Sequence, residues 1–167
     1  VEAGDHMGQL PMAFDPPGEP FDRYVDDITV LAAMVPESVT MGIHLCYGDL
    51  GHKHLIEPTD LGTSVRMANA SVANIARRVD FFHVPVPRDR NDDDYFAPLA
   101  DLDVGAAKFY VGLVHHTDGA EGTLARLETA KRHLSGFGIA TECGFGRRSL
   151  EQVGDLLEIH RAAAAAL

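Results

Sequence analysis

Four short apolar runs, 40–46, 81–86, 108–114 and 137–143, alternate with longer amphipathic stretches along the chain. Each run is bounded by turn residues and has the length of a buried strand. Between them the apolar spacing becomes helical. Tyr24, Val25, Ile28, Leu31, Ala32 and Val35 share one face until Pro36 stops the run. Asp60 is placed to cap a helix reaching about Arg78, with Val65, Ala68, Val72, Ile75 and Ala76 as its stripe. Asp118 followed by Glu121 has the form of a capping box ahead of Leu124, Leu127 and Leu134, and a short helix could fill 95–103. Ser149 with Gln152 caps a last helix whose stripe is read as Leu150, Val153, Leu156 and Leu157, extended by the alanines 162–166.

Strands spaced by helices predict a parallel sheet with right-handed crossovers. The glycines and prolines of residues 1–20 predict an irregular lead-in, which leaves 21–167 as one α/β domain. Knots of histidine, acid and arginine all follow the carboxyl ends of the strands, the edge at which ligands bind in parallel α/β sheets.

Alternation along a strand then sorts the chemistry by face. In the first run Gly42, His44 and Cys46 point one way and Ile43 and Leu45 the other. An imidazole and a thiol aimed into one space suit a metal ion or an activated thiol, or else a buried thiol beside a hydrogen-bonded histidine. His83 shares a face with Phe81 and Pro85. On the fourth run Ile139, Thr141 and Cys143 share a face and Glu142 points away. Of His115 and His116, ending the third strand, one is expected to face the site and the other to pack outward. Arg88, Arg90, Arg147 and Arg148 could clamp a carboxylate or phosphate. The acids 92–94 read as a solvated face, and Asp49, His52 and His54 lie in a polar loop.

Composition narrows the partners. A net charge of −11 argues against nucleic acid or an anionic membrane as a general partner, though not against an anionic small molecule. No apolar run approaches the roughly 18 residues of a spanning helix. Two distant cysteines, Cys46 and Cys143, do not make a disulfide scaffold, so a cytoplasmic setting is expected.

The pieces His44-Leu-Cys46-Tyr-Gly-Asp49, Asp80-Phe-Phe-His-Val-Pro85, Val111-Gly-Leu-Val-His-His116 and Glu142-Cys-Gly-Phe-Gly146 resemble, in order, the C-terminal catalytic barrel of the cobalamin-independent methionine synthase and uroporphyrinogen decarboxylase superfamily. The resemblance implies strands five to eight of a (β/α)8 TIM barrel. It implies zinc held by His44, Cys46 and Cys143, with His83 a candidate substitute for a family glutamate that Val84 and Pro85 do not supply. It also implies an acid role for His115 or His116. Asp49 is a further catalytic candidate, and Tyr47, Arg88 and Arg148 are the candidate substrate contacts. The expected activity is zinc-dependent transfer of a methyl or alkyl group to a thiol. The alternatives are a metal-free decarboxylase or lyase acting on a carboxylated substrate, and a catalytically silent barrel used as a binding module. A full barrel of this type needs roughly 250 residues. The chain is therefore expected to be a fragment of a longer protein, or else a half-barrel that pairs with its missing half or with a second copy.

Overall fold

A computed structural model describes residues 20–48, 57–146 and 148–167. Its order is α1 (Pro20–Ala33), β1 (Gly42–His44), α2 (Gly62–Asn74), β2 (Phe81–Pro85), α3 (Asp93–Phe96) with a 3₁₀ turn (Ala97–Asp101), β3 (Lys108–Val114), α4 (Gly119–His133), β4 (Gly138–Thr141) and α5 (Leu150–Ala166). The strands form one sheet in the order β1-β2-β3-β4, every pair parallel. This is the α/β arrangement of a half-barrel: four parallel strands, with the helices packed on one face.

The two faces differ sharply. Phe82, Val84, Phe109, Val111 and Leu113 are buried beneath the helices with Leu61, Val65, Met67, Phe96 and Leu127, forming the main core. At about 25 cal/mol per Å² of apolar area, such burial is what offsets the entropy of ordering the chain. The opposite face carries Gly42, His44, Phe81, His83 and Tyr110, all half-buried or exposed. The Phe81 ring lies across Gly42 and the Tyr110 ring across Gly138, meeting edge to face at 5.8 Å.

The helix ends follow local chemistry in part. Ser149 and Gln152 form the anticipated capping box on α5. Asp60 accepts from the Gly62 amide at 2.7 Å, but Leu61 is the N-cap of α2, and that helix ends at Asn74 and not near Arg78. Asp118, however, does not cap α4, because its carboxylate is claimed by a buried arginine described below. The stripe of α5 is also displaced: Leu156, Ile159 and Ala163 are buried, whereas Leu150 is 92% and Leu157 56% exposed. The acids after Arg90 are structural as well as solvated. Asp92 caps α3 through the Tyr95 amide and pairs with Arg90, which holds its carboxyl down at about 2.

Candidate functional site

The carboxyl ends of β2, β3 and β4 are drawn together by one geometric exception. Gly112 lies on the open face of β3, where a Cβ would come within 2.8 Å of the Thr141 carbonyl oxygen, 2.9 Å of the Val84 carbonyl and 3.0 Å of Glu142 Cα. The β3–β4 register also shifts between Val111 and Val114. With no side chain in the way, the end of β4 curls over β3 and reaches β2. There His83 Nε2 donates to the Thr141 carbonyl at 2.9 Å.

That bond fixes the tautomer of His83, leaving Nδ1 with a lone pair. His44, the register partner of His83 on β1, donates to it from its own Nδ1 at 2.8 Å, and the two rings stack at 4.7 Å. Burial, and then the nearby His44, push His83 down to about 4, and burial lowers His44 too. An unfolded histidine takes up a proton near 6.5, so stability should fall as pH drops from 6.5 towards 4 and level off below. The ceiling is ~3 kcal/mol, and a partly exposed ring should realise only a fraction of it. Urea unfolding across that range checks this: His83→Gln should flatten the slope, and an unchanged slope would count against the pairing.

At the end of β3, the two adjacent histidines separate as alternation suggests. His115 is buried, 4% exposed, and its Nε2 donates to the Val86 carbonyl at 2.8 Å. Its Nδ1 faces a Glu142 oxygen at 3.1 Å, and the other Glu142 oxygen accepts from Arg148 Nη2 at 3.2 Å. His116 turns to α5 and meets Asp155 at 3.0 Å.

Glu142 was expected to point away. Alternation holds only within a strand, and β4 ends at Thr141, whose hydroxyl donates to the Cys143 carbonyl at 2.6 Å and turns the chain. Glu142 therefore swings into the site. Its side chain, 18% exposed, reaches solvent more than His115 does.

A second polar element braces this edge from behind. Arg126 on α4 has a side chain only 2% exposed and pairs with both oxygens of Asp118, at 2.6 and 3.0 Å. It also donates to the Leu113 carbonyl of β3 and the Arg88 carbonyl after β2. Thr129, one turn on, donates to the Asn91 carbonyl. The sequence signal was a charged residue in line with Thr123, Leu127 and Ala130, all buried on α4.

The other expected site residues are more scattered. Arg88 pairs with Asp89 on the surface at 2.9 Å. Its guanidinium is held above the usual arginine range by that bond and, less strongly, by the field of Asp118 and Glu142, which places it near the site. Tyr47 is buried, 2% exposed. Asp49, His52 and His54 lie outside the described residues. Cys46 and Cys143, both half-buried and in no disulfide, follow β1 and β4, the two outer strands of the sheet.

Among the described residues the donors are not gathered into a zinc site. Both ring nitrogens of His83 are already engaged, by His44 and Thr141. Among the described residues, no group of three or more histidine, cysteine, aspartate or glutamate side chains is arranged to hold a metal.

A solved structure from Listeria monocytogenes, provisionally named a vitamin-B12-independent methionine synthase, superposes on 98% of this chain with a TM-score of 0.58 and 19% identity. The likeness is one of fold. The chain spans 45% of the length of that protein, as four strands of an eight-stranded barrel would. No protein-family model matches the chain, and no curated protein matches it. Among the described residues no helix is long and apolar enough to cross a membrane.

Proposed function

We propose that the chain supplies the proton-handling half of a metal-independent barrel enzyme, of decarboxylase or lyase type, acting on a carboxylated substrate. The observation that supports this reading is the line Arg148–Glu142–His115–Val86 carbonyl at the carboxyl edge of the sheet.

In this reading Glu142 is the catalytic residue, because it is the more open member of the pair. His115 is a positioning residue: with acceptors on both ring nitrogens, it can hold a proton behind Glu142 and return it. When a carboxylate leaves as carbon dioxide, the bonding pair stays on carbon. A proton delivered from the Glu142 carboxyl group forms the new C–H bond, and His115 resupplies Glu142. Arg148 spends Nη2 on Glu142, and a guanidinium has further donors in its fork with which to seat a second carboxylate. Arg88, which feels the field of Glu142, would share that role. Zinc-dependent alkylation of a thiol needs His44, Cys46 and Cys143 around one cation, and the donor geometry supports that reading less well.

Succinate and citrate serve as probes, with binding followed by amide chemical shifts in the presence and absence of a chelator. Arg148→Ala should abolish the shifts and Arg88→Ala should weaken them, with no effect of the chelator. Binding that survives Arg148→Ala, or that the chelator removes, would count against this reading.

A further inference from the structure

The amino edge of the sheet, opposite the candidate site, carries a cleft of about 460 Å³ between the ends of α1 and α2. Ala32, Ala33 and Val35 line one side and Asn74 another, while Glu37 and Arg77 bring opposite charges to the same space.

Arg77 is the unusual member. The residue is 8% exposed, and among the described residues its guanidinium bonds only to backbone. Nε donates to the Arg78 carbonyl, Nη1 to those of Val35 and Pro36, and Nη2 to that of Val39, at 2.7 to 3.1 Å. Those bonds pin the turn between α1 and β1. They supply dipoles and not a counter-ion. Among the described residues no carboxylate pairs with Arg77, whereas Arg78 beside it takes Asp80 at 2.6 Å. A guanidinium has five N–H groups, so one on Nη2 is left over. A buried cation with a spare donor and no paired anion favours a negative group beside it.

A simple anion is nevertheless the wrong ligand. Both α1 and α2 end at this cleft with no basic residue in the last turn, and a helix C-terminus carries about half a negative charge. Glu37, exposed on the rim, adds a full one. A simple cation fares no better, because it meets Arg77. A molecule carrying both charges answers each wall of the cleft with its opposite.

We propose that this cleft binds a small zwitterion of the amino-acid class. Its carboxylate accepts from the spare Arg77 donor, its ammonium faces Glu37 and the helix ends, and an apolar side chain lies along Ala32, Ala33 and Val35. The cleft is at the other edge of the sheet from Glu142, so the inference is independent of the chemistry assigned there.

The probes are L-leucine, N-acetyl-L-leucine, which lacks the ammonium, and L-leucinamide, which lacks the carboxylate. Each is titrated into the full chain and followed by amide chemical shifts. Leucine should move the amides of Ala33, Glu37 and Asn74 while those of His115 and Glu142 stay in place. The two blocked analogues should bind at least about 10-fold more weakly, since each loses a charge-assisted hydrogen bond. Glu37→Gln, at an exposed position where the fold should tolerate it, should weaken leucine by a similar factor and leave N-acetyl-L-leucine unchanged. No leucine-dependent shift at the cleft overturns the proposal. So does equal binding of the three probes, or leucine binding that Glu37→Gln leaves unchanged.

Discussion

Arg126→Met is expected to lower the free energy of unfolding by about 3–5 kcal/mol, the usual cost of breaking a buried ion pair by removing one partner. The wild-type guanidinium satisfies both oxygens of Asp118 and two backbone carbonyls at once. Methionine fills much of the same volume but leaves the carboxylate and those carbonyls without a donor, and the desolvation cost of unpaired groups dominates. Asp118→Asn in the Arg126→Met background should recover part of the loss, since it removes the stranded charge. Urea unfolding of the four proteins in this cycle measures both effects. A single-variant loss under about 1 kcal/mol would put Arg126 on the surface scale and contradict the buried clamp.

Gly112→Ala comes second, at about 1–3 kcal/mol, the range for overpacking a site whose neighbours cannot yield. All three atoms that the new methyl would meet are backbone, on Val84, Thr141 and Glu142. The route of least resistance is for the end of β4 to lift away from β3. The bond from His83 to Thr141 and the pairing of Glu142 with His115 would then go together. Ring signals of both histidines should move in the variant while the core under the helices keeps its shape. An alanine variant with wild-type stability and unmoved histidines would mean that β4 does not rest on β3 in this way.

Much of the fold was legible in the chain. The four apolar runs became four strands in sequence order, and alternation placed His44 and His83 on the open face with Phe81. The two outer strands came out shorter than their apolar runs: β1 covers Gly42–His44 of a run drawn from 40 to 46, and β4 stops at Thr141. That shortening hid the site. A period of two assigns Glu142 to the wrong side only if the strand continues past Thr141, and it does not. Hydrophobic spacing also misread α5, because Leu150 and Leu157 fit a helical stripe as well as Leu156 does. What separates them is whether a neighbour covers that face, and no covering element is present among the described residues.

Arg126 and Asp118 were hidden for another reason. Asp118 reads locally as a capping residue, and a helix N-terminus does attract a carboxylate. A buried guanidinium two turns along the same helix attracts it more strongly, and a capping pattern read from the first turn does not register that competition. The pairing of His115 with Glu142 is likewise a product of curvature, set by Gly112 and the register shift beside it.

The site at the carboxyl edge rests on the contact between His115 and Glu142, and nitrogen NMR of the imidazole rings tests it most directly. In Glu142→Gln, the His115 Nδ1 signal should shift clearly while the Nε2 signal, tied to the Val86 carbonyl, stays near its wild-type position. His115 signals that are the same in both proteins would contradict the account.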